Sequence, residues 1–190
     1  MLATPLPDST FRPLKSIFTI VHLVTFAVIY QVAPDPYIDE IFHVPQAQAY
    51  CRGDWFHWNN KITTPPGLYL VSSAIYKLGT LIPVPFNLCS TLALRSLNFF
   101  IVVFIAPKLT RSLYRHIHPS ASEDALLFAE LLPAFPLLSF FGNLYYTDVL
   151  STTAILWSYL LAIKRRYVSS AMVLTPSISF ALLYILKQWS

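Results

Sequence analysis

The sequence predicts an all-α polytopic membrane protein, and three observations carry that expectation. Hydrophobic residues make up 55% of the 190-residue chain and charged residues only 12%, a balance outside the range of ordinary soluble domains. The apolar residues come in runs long enough to cross a bilayer. Lys and Arg gather in short clusters beside those runs, as the positive-inside rule requires. The formal net charge of +4 is thereby explained by membrane topology, and no nucleic-acid partner is implied.

The elements follow in order. Ser16 to Ala33 is the first span, preceded by Arg12 and Lys15. No small-x-small cleavage pattern follows it, so it reads as a retained signal anchor with a cytoplasmic N-terminus. The polar stretch from Pro34 to Thr64 holds Asp35, Asp39, Glu40 and Asp54 against Arg52 and Lys61, which suits the non-cytoplasmic side. Two basic clusters, Lys108 with Arg111 and Arg115, and Lys164 to Arg166, belong on the cytoplasmic side. Parity then allows one crossing between the acidic loop and Lys108. Leu88 to Ala106 is the cleaner span. Pro66 to Ile82 carries Lys77 and Gly79 and ends at Pro83-Val84-Pro85, so it reads as a helix on the membrane surface. The outer loop therefore covers residues 34–87 and the next cytoplasmic loop residues 107–124. Ala125 to Gly142 and Val149 to Ile163 form a hairpin of spans around an outer turn, Asn143 to Asp148. Val168 to Leu186 is a last span, weakened at Thr175-Pro176.

Polar residues held at membrane level are costly unless paired or functional, which makes them informative. In YIDEIFHVPQAQAY, residues 37–50, the positions of Asp39, His43, Gln46 and Tyr50 fall within roughly one sixth of a helix circumference. Pro45 interrupts that argument unless it lies near the helix start. Asp39 and Glu40 are then either N-terminal capping carboxylates or chemical groups. Arg95 could meet a lipid phosphate or an interhelical partner. Asp148 could cap a helix or face the same side as Asp39. Glu130 is expected to pair inside the bundle, and Lys61, Thr63 and Thr64 could hold an anionic or sugar ligand. Cys51 and Cys89 form no metal-ligand spacing and read as packing residues or one bridge. Nucleotide-binding, zinc-protease and serine-hydrolase motifs are missing, and no internal repeat is visible.

One resemblance sharpens this reading. The segment from DEIFHVPQAQ to ITTPPGLYL, with LRSLN at residues 94–98 and NLYYTD at residues 143–148, closely resembles the dolichyl-phosphate-glucose-dependent α-1,2-glucosyltransferases. These belong to glycosyltransferase family 59, of GT-C type. Such enzymes place the terminal glucose on the lipid-linked oligosaccharide of N-glycosylation. The resemblance implies a partial GT-C-like bundle in the endoplasmic reticulum membrane, with juxtamembrane helices in a lumenal first loop. It also implies a dolichyl-phosphate glucose donor, a dolichol-pyrophosphate-linked oligosaccharide acceptor, and no cofactor or tightly bound metal.

On that resemblance Asp39 is the expected catalytic base, with Glu40 as its near-equal second. His43, Gln46, Lys61, Thr63 and Thr64 are expected to contact sugar or phosphate, Arg95 to stabilise the departing phosphate, and Asp148 to orient the acceptor. Asn59-Asn60 stands where the family usually shows Asp-Pro. Family members are roughly twice this length or more, so the resemblance covers an N-terminal part and an incomplete bundle is expected. Two alternatives remain open at this point: another dolichyl-phosphate-sugar transferase, and a non-catalytic membrane-embedded binding protein.

Overall fold

In the computed structural model, which describes residues 12–81 and 86–174, every regular element is helical. The first helix, α1 (Arg12–Val32), contains a 20-residue apolar run, Pro13–Val32, that is long enough to cross a membrane and faces almost wholly outward. A short segment leads to α2 (Glu40–Cys51), and after a loop closed by Pro65 and Pro66 comes α3 (Gly67–Gly79). These two pack against each other. At 13 residues, α3 rises only about 20 Å, short of a bilayer core.

The second long helix differs from expectation at its C-terminal end. It runs continuously through α4 (Thr91–Phe100), a π turn (Ile101–Ile105) and α5 (Ala106–Ile117). Residues 107–117, read from their basic cluster as loop, are helical. Pro107 did not break the run: the Ala106 N–H donates to the Ile101 carbonyl five residues back, and this widened turn accommodates the proline that follows it. The Thr91–Ile117 helix is the second one long and apolar enough to cross a membrane.

The expected span over residues 125–142 is broken rather than straight. Helix α6 (Glu123–Leu131) gives way to a 3₁₀ turn (Leu132–Ala134) and then to α7 (Pro136–Gly142), with a bend of 54°. Pro133 and Pro136 fall in the first turns of the 3₁₀ segment and of α7, where each interrupts the ladder of the helix before it. Gly142 then meets the π turn closely: a Cβ there would lie 2.7 Å from Cγ2 of Val102. The apolar α8 (Thr147–Ile163) returns and packs on α5 and α7. A further helix is entered at residue 167; the expected span to Leu186 lies outside the described residues beyond 174.

Charge marks the two ends of this bundle. At one end Glu130 meets Lys15 at 2.9 Å and Arg111 at 3.3 Å, and Glu123 pairs with Arg111 and with Arg115. At the other, the Ala33 carbonyl, α2, the start of α4 and the Asn143–Thr147 connection converge on Arg95 and Asn98. The chain is an all-α polytopic membrane protein.

Candidate active site

The candidate site lies where α1 ends and α2 begins. Helix α2 starts at Glu40, so Pro45 falls in its second turn on the exposed side and costs less than it would deeper in a helix. The polar stripe therefore forms on one continuous helix, with His43, Gln46 and Tyr50 buried and Asp39 exposed at its N-cap position. Asp39 does not cap: its side chain makes no capping hydrogen bond. Its own N–H instead donates to the Tyr146 hydroxyl at 2.9 Å. The residue before it, Ile38, has φ 52°, an uncommon conformation for a β-branched side chain that costs about 1–3 kcal/mol and marks a constrained backbone.

Glu40 has an entirely different environment. Its Oε1 accepts from Arg95 Nε at 2.9 Å and from the Tyr145 N–H at 2.6 Å. Its Oε2 accepts from Arg95 Nη2 at 2.6 Å and from the Tyr37 N–H at 2.9 Å. Arg95 also donates to the carbonyls of Ala33 at 2.6 Å and Asp35 at 2.9 Å. Both side chains are 0% exposed. Each carboxylate oxygen already holds two donors, so Glu40 has no lone pair left for a substrate proton. The expectation of Glu40 as a second base is corrected on this ground. The same burial corrects the expected phosphate contact of Arg95: its charge is spent joining the end of α1, the start of α2, α4 and the Asn143–Thr147 connection.

Around Asp39 stands an aromatic wall. The His43 ring lies 5.6 Å from Tyr146 and 6.0 Å from Tyr69, centroid to centroid, and its Nδ1 is 2.5 Å from the Tyr69 hydroxyl. Burial lowers the His43 pKa below its ordinary value, against the opposing fields of Asp39, Asp148 and Glu40. Burial likewise raises Tyr69 and Tyr146, so both phenols remain protonated at neutral pH. Asp148 is exposed in the first turn of α8 and acts on the same His43 and Tyr146 as Asp39 does. The structure thus gathers Asp39, His43, Tyr146 and Asp148 into one locale from segments about a hundred residues apart.

The other expected residues separate into two groups. Gln46 is buried and turned into the protein, its Nε2 donating to the His57 carbonyl at 2.7 Å and its Oε1 accepting from the Asn59 N–H at 3.0 Å. It holds the loop after α2, and the expected sugar contact is corrected. Asn59-Asn60, the departure from the family pattern, lies in that pinned loop, and Asn59 Oδ1 accepts from the Lys61 N–H at 3.0 Å. Lys61 itself is exposed, with Nζ 5.5 Å from the centroid of Phe42 on α2. Thr63 is exposed, and the half-buried Thr64 sets its hydroxyl against that of Tyr69 without hydrogen-bond geometry. Cys51 and Cys89 form a disulfide from the end of α2 to the approach of α4. Among the described residues no three His, Cys, Asp or Glu side chains are grouped to hold a metal ion.

Sequence reasoning passed over Tyr69, Tyr145, Tyr146, Ser72 and Asn98. Asn98 Nδ2 donates to the carbonyls of Leu144 and Tyr146, and the Tyr145 hydroxyl meets Ser72 Oγ at 2.6 Å. The available signal was the pair of tyrosines in NLYYTD beside the polar residue of LRSLN.

Comparison with known proteins decides the family. The model of the DIE2/ALG10 family matches residues 33–182, which include every site residue named above. The chain belongs to the DIE2/ALG10 family. Several curated relatives carry the name Dol-P-Glc:Glc(2)Man(9)GlcNAc(2)-PP-Dol alpha-1,2-glucosyltransferase. That of Yarrowia lipolytica is 43% identical over 70% of this chain and 25% of its own length. That of Arabidopsis thaliana is 42% identical over 76% of this chain and 30% of its own. That of Rattus norvegicus is 35% identical over 81% of this chain and 34% of its own. The aligned region is thus about a quarter to a third of each relative. No solved structure matches the chain.

Proposed function

We propose that this member of the DIE2/ALG10 family carries the catalytic loop of an inverting glucosyltransferase. Its donor is dolichyl-phosphate β-glucose and its acceptor the diglucosylated, dolichol-pyrophosphate-linked oligosaccharide. The observation that carries the reading is the free, exposed carboxylate of Asp39, held on a fixed backbone beside His43, Tyr146 and Asp148. The relatives' names supply the substrate chemistry.

In the proposed step, the acceptor glucose 2-hydroxyl oxygen attacks the anomeric carbon and its proton passes to Asp39. The bond from that carbon to the phosphate oxygen breaks with its electron pair, giving dolichyl phosphate and an α-1,2 linkage. His43 donates to the donor sugar or its phosphate, exposed Lys61 and Thr63 meet the charge developing on the phosphate, and Asp148 orients the acceptor. Thr64, beside Tyr69, completes the wall of the site.

The loop faces the lumen of the endoplasmic reticulum in this reading. Three features support that side: the acidic residues of the loop, the Cys51–Cys89 disulfide, which needs an oxidising compartment, and the Lys15–Arg111–Glu130 network at the opposite end of the bundle. The test is glucose transfer from synthetic dolichyl-phosphate glucose to the diglucosylated lipid-linked acceptor, with the chain reconstituted in lipid. Loss of transfer by at least about a hundredfold in Asp39→Asn is expected for a general base. Full transfer by Asp39→Asn would rule out that role.

A further inference from the structure

We infer that Tyr69 is a positioning residue that fixes His43 as a neutral Nε2–H donor, presenting one oriented hydrogen bond to the ligand of the Asp39–Asp148 locale. For the identity of that ligand, a prenyl-phosphate sugar, the inference rests on the function proposed above.

The argument is one of satisfiability. Tyr69 is fully buried, and its hydroxyl proton has one acceptor in hydrogen-bond geometry, Nδ1 of His43 at 2.5 Å. Thr64 Oγ1 stands beside the same hydroxyl but outside hydrogen-bond geometry, so it does not compete for that proton. If Nδ1 carried the ring proton and donated to Tyr69, the phenol proton would be buried without a partner, which costs about 1–3 kcal/mol. Tyr69 therefore donates, Nδ1 accepts, and the proton of the neutral ring resides on Nε2. Nε2 has no hydrogen-bond partner among the described residues, so its proton is available to a ligand.

The charged and titratable groups facing His43 come from several elements. Asp39 and Glu40 lie at the start of α2, Tyr69 on α3, and Tyr146 and Asp148 at the start of α8. Glu40 is neutralised by Arg95. Asp39 and Asp148 would favour a cation, and burial outweighs them. A neutral donor suits a site that must hold a sugar hydroxyl or phosphate oxygen without taking the proton destined for the carboxylate. His43 and Tyr69 stand 26 residues apart and meet across two helices.

The experiment uses the chain labelled with ¹⁵N-histidine in lipid nanodiscs, read by long-range ¹H–¹⁵N spectra at neutral pH. In the unsubstituted chain His43 is expected to show an unprotonated Nδ1, shifted by its hydrogen bond, and a protonated Nε2. Tyr69→Phe removes only the hydroxyl and should move Nδ1 to the position of a free acceptor. Addition of citronellyl-phosphate glucose should shift Nε2, and Tyr69→Phe should weaken that titration by about tenfold, the loss of one oriented hydrogen bond. His43→Gln, which keeps an amide donor, should recover part of the affinity that His43→Leu loses. Retention of the Cys51–Cys89 disulfide in each variant reports folding. A protonated Nδ1 in the unsubstituted chain, or an Nδ1 shift indifferent to Tyr69→Phe, overturns the inference. So does an Nε2 resonance that stays still while the analogue moves other resonances of α2. Failure of glucose transfer with the tautomer in place would instead count against the proposed reaction.

Discussion

Replacing Glu40 by Gln would leave the Arg95 guanidinium, 0% exposed, with its charge uncompensated. Breaking one side of a buried ion pair costs about 3–5 kcal/mol, and a large fall in the unfolding midpoint in lipid is the expected readout. Asp39, one position away, should tolerate Asn with a change of about 0.5 kcal/mol, because its side chain is exposed and makes no cap. His43 adds a pH dependence. Its folded pKa is lowered by burial, so below its ordinary value of 6.5 the unfolded chain binds more protons than the folded one. The stability it contributes is present above pH 6.5 and lost as pH falls through its depressed folded pKa; His43→Gln should flatten that part of the stability profile. At this scale the sequence showed the Asp39–His43–Gln46–Tyr50 stripe, because helical period alone sets it. It could not show that Glu40 pairs with Arg95 or that Gln46 is consumed by His57 and Asn59, since those partners are fixed by tertiary packing.

The elements were legible wherever hydrophobicity alone determines them. α1 and α8 could be read from their apolar runs, and the turn of NLYYTD between α7 and α8 from its polar residues. Two proline-bearing regions were not. At Pro107 a π turn carried the helix onward through basic residues that resembled a loop, while Pro133 and Pro136 bent a run that resembled one span. Backbone hydrogen-bond geometry separates those outcomes, and residue identity does not. The π turn also explains a testable packing constraint. Gly142 lies so close to Val102 that an added Cβ would fall 2.7 Å from its Cγ2, and Val cannot readily rotate away. Gly142→Ala should destabilise the contact of α7 with the π turn by about 1–3 kcal/mol. A fall in thermal midpoint would show this; an unchanged midpoint would mean the two helices are free to separate.

Across the whole molecule, the opposed ends assign separate tasks: one balances charge among Lys15, Arg111, Arg115, Glu123 and Glu130, and the other presents Asp39 and Asp148. The orientation can be tested with Lys61→Thr, which completes an N-glycosylation sequon on Asn59 in the outer loop. A lumenal loop would expose that sequon to glycosylation in microsomes, seen as a glycosidase-sensitive mobility shift. The disulfide links α2 to the approach of α4 across 38 residues, and its removal by Cys89→Ser should cost about 2–4 kcal/mol.

The central claim is that adjacent carboxylates serve different purposes, Glu40 holding the bundle together and Asp39 remaining free for chemistry. Unfolding midpoints of Asp39→Asn and Glu40→Gln, measured in the same lipid, test it most directly. The account predicts a midpoint near that of the unsubstituted chain for Asp39→Asn and a large fall for Glu40→Gln. Equal falls, or a fall confined to Asp39→Asn, would contradict it.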